Sequence, residues 1–217
     1  ATFDSNNNKV VIAYTDAGNS NHGAAVVGTV SGTSISFGSE TVFENSSTSN
    51  KEAVFDAANG AIVIAYRNDG NSDHGTAVVG TVSGTSISFG TPVVFEAAPV
   101  VGESVSAAYD SSNEKVVISY GDQGNSSYGT AIVGTVSGTS ISFGSPVIFD
   151  STSSSYTAAV YDSITGKVVI AYQDNGNSSY GTLIVGTVSG TSISFGSATV
   201  FESGYTDLMT GAYDSAN

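Results

Sequence analysis

The chain lacks cysteine and tryptophan altogether, and among its 217 residues only five are basic, three are proline and one is methionine. Each shortage excludes something. Without thiols there is no disulfide scaffold, no CxxC redox pair and no cysteine-ligated zinc. Five basic side chains against 19 acidic ones leave a formal charge of −14 and a pI near 4.1. Such a surface repels phosphate backbones and anionic lipid instead of releasing their counterions, which argues against nucleic-acid binding. No apolar run approaches the roughly 18 residues of a transmembrane helix, and no basic-then-apolar signal segment opens the chain, so no membrane insertion is expected. The start at Ala1 rather than Met leads us to expect that a leader or upstream region has been removed. Nor does any segment keep the i, i+3, i+4 apolar spacing over the ten or more residues of a globular helix. What is present is a 40% hydrophobic content with a mean hydropathy of +0.10. A chain of this length and hydropathy buries a core rather than remaining an acidic coil.

Internal repetition governs the architecture. GTVSGTSISFG occurs verbatim at 28–38, 80–90, 134–144 and 186–196. An aromatic-to-aspartate marker, or Phe/Tyr followed by Asp, ends at Asp4, Asp56, Asp110, Asp162 and Asp214, at spacings of 52, 54, 52 and 52. The repeat units run approximately 1–48, 49–102, 103–154 and 155–206, with the start of a fifth at 207–217, all in a single repeat domain.

Within each unit four short strands are expected. In the third, VSAAYD leads to the turn-rich DSSNE, and KVVISY at 115–120 is an uninterrupted β-branched run. TAIVGTV at 130–136 follows, then a tight Ser-Gly-Thr hairpin. TSISFGSPVIF is read as one fourth strand, outermost because Pro146 is tolerated only at an edge. Four antiparallel strands per unit, with central strands apolar on both faces, predict an all-β protein, a β-propeller of about 52-residue blades, four in this chain plus one extra strand.

GTVSGTSISFGSPVIF-type segments resemble the outer hairpin of the bacterial neuraminidase (Asp-box) repeats of sialidase-like propellers, with Phe37, Phe89, Phe143 and Phe195 in place of that motif's tryptophan. The whole unit, from KVVIAY through GTVSGTSISFG to its closing strand, is similar to repeat proteins of marine phages and environmental bacteria. That similarity implies an exposed appendage or surface protein. Sialidase chemistry itself would imply an arginine triad, and Arg67 is the one arginine here.

If the strands run outward as A, B, C and D, the B–C loops and D–A connectors share one face. The B–C loops supply the candidate ligand-binding residues Asn19, Ser20 and His22, Asn71, Ser72 and His74, Asn125, Ser126 and Tyr128, and Asn177, Ser178 and Tyr180. Amides and hydroxyls beside a ring suit neutral polar ligands such as glycans. Turn chemistry alone accounts for the same Asp, Gly, Asn and Ser, and both readings stand at this point. The D–A connectors at 45–54, 97–108, 151–160 and 203–212 are the divergent part of the repeat. A two-residue insertion falls there too, since Glu96 to Asp110 spans 14 positions and Glu44 to Asp56 spans 12.

Asp4-Ser5-Asn6-Asn7-Asn8 mimics a calcium loop, but its counterparts lose the oxygen ligands and a plain turn is expected. Glu44, Glu96, Asp150 and Glu202 are read as solvated strand ends. His22 and His74 occupy equivalent repeats rather than one cluster, and nothing resembles a nucleophile elbow. The expectation is therefore no enzyme, no metal and no cofactor. Instead we expect an extracellular or virion-surface adhesion propeller whose partners are glycans or a cell-surface receptor. A purely structural fibre unit is the alternative, a glycosidase on neutral glycans a minor one, and strand exchange at the chain ends a route to self-association.

Overall fold

In a computed structural model, residues 1–214 are described. The last three residues of the expected fifth unit lie outside them. Among the described residues the regular structure is all β, broken only by four single 3-10 turns. The first repeat contains β1 (Thr2–Asp4), β2 (Lys9–Asp16), β3 (His22–Ser31), β4 (Ser34–Phe37) and the first half of β5 (Thr41–Asp56). The second contains the rest of β5, β6 (Ala61–Asn68), β7 (His74–Ser83), β8 (Ser86–Phe89) and β9 (Val93–Pro99). β10 (Ser106–Asp110), β11 (Lys115–Asp122), β12 (Tyr128–Ser137), β13 (Ser140–Phe143) and the start of β14 (Val147–Asp162) form the third. The remainder of β14, β15 (Lys167–Asp174), β16 (Tyr180–Ser189), β17 (Ser192–Phe195) and β18 (Thr199–Tyr205) form the fourth.

All named pairings are antiparallel, and they join into two nine-stranded sheets. The division into two has a local cause. β5 pairs with β3 through residues as far as Ser47 and with β6 from Thr48 onward, so one long strand links two repeats. β14 does the same between the third and fourth. Between the second and third, the inserted residues make a turn around Gly102 and Glu103 that interrupts the strand, leaving β9 and β10 separate.

The fourth strand is outermost, as expected, but it is not one strand. β4 and β5 both flank β3, at opposite ends, with residues 38–40 between them. The reason is the next repeat. A β-carbon on Gly38, Gly90 or Gly144 would overlap the carbonyl oxygen of Thr85, Thr139 or Thr191, which belongs to the tight hairpin of the following unit. Pro92 and Pro146 fall in the same gap, where no ladder donor is required.

The apolar runs divide by residue parity into separate cores. In β6, Ile62, Ile64 and Tyr66 pack toward the first repeat with Val11, Val27 and Phe43, whereas Val63 and Ala65 pack toward the third with Val116, Ile118 and Tyr120. Val117 joins the fourth repeat through Val168, Ile170 and Tyr172. Successive repeats are thus stacked face to face, and a strand covered on both sides needs no polar alternation. The stacking does not close into a ring. One face of the first repeat and one face of the fourth remain uncovered among the described residues.

Candidate functional site

Three of the four B–C loops begin with a side-chain cap. Asp16 accepts a hydrogen bond from the Gly18 amide, Asn68 from the Asn71 amide and Asp174 from the Asn177 amide. The candidate asparagines Asn19, Asn71, Asn125 and Asn177 end the 3-10 turns, and Ser20, Ser72, Ser126 and Ser178 follow at φ of 55–57°. His22, His74, Tyr128 and Tyr180 then open their C strands, half-buried. Asn71 Nδ2 lies 3.3 Å from His74 Nδ1. One such loop stands on each repeat, and the four aromatic residues are not brought into contact.

What touches these loops is the D–A connector of the preceding repeat. Ser46 donates to Asn68 Oδ1 at 2.7 Å, Ser49 to Asp69 at 2.7 Å and Thr152 to Asp174 at 2.8 Å. A β-carbon on Gly70, Gly124 or Gly176 would strike Ser46, Ala98 or Thr152. The loop glycine is therefore needed for the close approach of two repeats. The strand-end carboxylates belong to the same joint. Glu44 accepts from Tyr66 Oη and Asn68 Nδ2, both at 2.9 Å, and Glu96 accepts from Tyr120 Oη at 3.1 Å. Asp150 accepts from Thr152 and Ser154. These three are inter-repeat or local latches rather than solvated ends, a correction that follows from how closely the next sheet packs.

The opposite turns show Asx chemistry. Asp4 Oδ1 accepts from the Asn6 and Asn7 amides at 3.0 Å, and Asp110 and Asp162 cap their turns in the same manner. Two of the aromatics that precede these aspartates, Tyr109 and Tyr161, reach the turn of the repeat before them. Tyr109 Oη accepts from the Ala58 amide, and Tyr161 Oη both accepts from the Ser112 amide and donates to Ser112 Oγ.

Beyond these joints lies a cleft of about 660 Å³, lined by segments of the four repeats and of the start of the fifth, from Ala1 and Asn50 through Glu103 and Tyr156 to Leu208. Asn50, Glu103, Tyr156 and Leu208 share a left-handed backbone, at φ of 42–61°, where each connector bends at the cleft. Lys51 and Glu52 also line it. Burial lowers the Lys51 ammonium pKa, against the opposing charge of Asp69, and burial raises that of the Glu52 carboxyl, against the chain's own amino terminus. The charge of Glu103 is the first cause that raises the Tyr156 phenol, followed by desolvation and the hydrogen bond between them. The cleft thus offers a phenol ring, carboxylates, an amide and the Lys51 ammonium to a polar guest.

None of the twelve B–C loop candidates lines this cleft. Its own residues were not singled out in the sequence, although the divergence of the connectors marks the segment that holds them. Asn, Glu, Tyr and Leu share no turn signature, so their common backbone geometry is invisible before folding. No protein-family model matches the chain, and no curated protein is detectably similar to it.

Proposed function

We propose that the chain is a non-enzymatic binding module, exposed on a cell or virion surface, that holds neutral polar ligands such as glycans. We further propose that its four-stranded units are blades of a β-propeller, of the kind the Asp-box resemblance implies. Face-to-face stacking of successive repeats, and a cleft bordered by a segment of every repeat, support that arrangement.

One observation carries the binding reading. Repeats that are otherwise near-identical diverge at the D–A connectors, and those connectors supply the cleft's most varied side chains, Asn50, Glu103, Tyr156 and Leu208. Residues needed only to build a turn would be expected to remain as uniform as the B–C loops beside them. A ring with hydrogen-bonding groups around it suits a sugar, and the neighbouring carboxylates disfavour an anionic one.

A glycan array probed with the native chain and with Tyr156→Ala plus Glu103→Gln tests this. Binding by the native chain, weakened about tenfold or more in the double variant, is the expected result. Absence of binding across the array overturns the ligand class. Loss in Tyr128→Ala plus Tyr180→Ala, with the cleft variant unaffected, moves the site to the B–C loops. The second reading, a structural unit of a fibre, is favoured by the uncovered face at each end of the stack, and filaments in electron micrographs would support it.

A further inference from the structure

The three internal joints are built alike, and the molecule carries both halves of a fourth. At each joint a phenylalanine of one repeat enters a clasp formed by a tyrosine and a phenylalanine of the next. Phe43 meets Tyr66 and Phe89 at ring-centroid distances of 5.2 and 5.6 Å. Phe95 meets Tyr120 and Phe143 at 5.2 and 5.8 Å, and Phe149 meets Tyr172 and Phe195 at 5.1 and 5.7 Å. Phe201 is the fourth inserting ring, and Tyr14 with Phe37 is a clasp that no ring enters among the described residues.

Exposure separates the used halves from the unused ones. Phe149 is 8% exposed, whereas Phe201 is 52% exposed. Val82 is 6% exposed, and its counterpart Val30 is 55% exposed, beside the exposed Ile35 and Phe37. The glycines agree. A β-carbon on Gly144 would overlap Thr191, but one on Gly196 would find its nearest neighbour, Val185 O, at 3.8 Å. Gly18 likewise meets only its own Asp16, although the same position in each later repeat is pressed by a connector.

The backbone also provides for a joint. β1 pairs with β2 only at Lys9–Val11, so the β2 edge from Ala13 to Asp16 has no ladder partner on that side among the described residues. In the fourth repeat that edge is filled by Ser154 opposite Asp174 and Ala158 opposite Ala171. By the 52-residue offset, Thr206 and Thr210 are the residues that would lie opposite Asp16 and Ala13. Thr206 is already turned toward this role, for its amide donates to Ser179 O as the Ser154 amide does to Ser127 O.

From these matched halves we infer that the fourth-repeat face of one chain docks on the first-repeat face of a second copy, head to tail. Phe201 enters the Tyr14–Phe37 clasp, and residues 206–210 add to the open edge of β2. A joint of this kind is heterologous, so the two surfaces differ and each copy contributes one of them. It buries the apolar side chains that both faces now expose to water. In the docked state Tyr14 exchanges its present partner, Glu40, for Glu202 of the second copy, as Tyr66 is paired with Glu44.

Sedimentation velocity across a concentration series tests the inference with Phe201→Asp and Phe37→Asp, both at exposed positions and both checked for native circular dichroism. The native chain is expected to associate with rising concentration. Each variant alone is expected to lose about tenfold or more in association, and an equimolar mixture of the two to recover a species of twice the chain mass. That recovery arises because one variant keeps an intact head and the other an intact tail. A native chain that stays monomeric throughout overturns the inference. So does a single variant that associates as well as the native chain, because that would indicate like faces meeting. The readout is mass, so it stands or falls independently of ligand binding.

Discussion

Phe43, Phe95, Phe149 and Phe201 occupy one station in four near-identical repeats, but only the first three have a neighbour to enter. We expect Phe149→Ala to cost about 3–5 kcal/mol, the range for emptying a packed aromatic site. Phe201→Ala at a concentration where the chain is monomeric should cost less than about 1 kcal/mol, since the ring is already half in water. Urea unfolding of both variants gives the comparison. The buried phenols define a pH limit. Burial, helped by nearby acidic groups, pushes the Tyr109 phenol up to about 12 and raises Tyr66, Tyr120 and Tyr172 further. The folded chain therefore holds these protons more tightly than the unfolded one. Its stability is intact below the ordinary tyrosine value of about 10 and falls as pH rises from there through about 12 and above. Tyrosinate absorbance followed with far-ultraviolet circular dichroism should show ionisation and unfolding together; ionisation of all eleven tyrosines near pH 10 in a still-folded chain would contradict it. At this scale the Asp4-type turns were legible, because an Asx cap is a local event. The latching of Glu44 and Glu96 was not, because their partners lie 22–24 residues away on the next repeat.

Strands were legible as elements and misjudged at one boundary. β-branched runs identified β6, β11 and β15, and the hairpins were recognisable from their Ser-Gly-Thr residues, whose glycines are left-handed in the fold, such as Gly84 at φ +62°. The break between β4 and β5 was missed, since it is imposed by the hairpin of the following repeat rather than by local sequence. Gly90→Ala should accordingly destabilise the fold by about 1–3 kcal/mol by forcing Thr139 away, while Gly196→Ala should be close to neutral in the monomer. Thermal melts of the two variants decide the point. Equal losses would mean that the glycine serves its own strand and not the joint. The same logic explains why the two-residue insertion in the connector at 97–108 matters beyond its length. It converts what would be a third continuous linking strand into two, and so divides the pairing into two sheets.

For the whole molecule, a formal charge of −14 on 217 residues opposes compaction. Raising salt from about 0.01 M to about 1 M shortens the screening length from about 30 Å to about 3 Å. The melting temperature should therefore rise with added sodium chloride, and a fall or a flat response would show that self-repulsion is not a significant cost here. The sequence by itself determined the repeat, its 52-residue period, the antiparallel strands and the turns that join them. These depend on side-chain alternation, β-branching and capping groups that act within a few residues. It also marked the connectors as the variable segments, through their divergence alone. Only the tertiary structure decided which carboxylates latch, where the fourth strand breaks, and that Asn50, Glu103, Tyr156 and Leu208 line one cleft. It alone showed that the stack stays open, with no ring seated between Tyr14 and Phe37 and Phe201 half in water among the described residues. Those outcomes depend on how one sheet stacks upon the next, and identical repeats carry identical local instructions whether or not a neighbour is present to complete them.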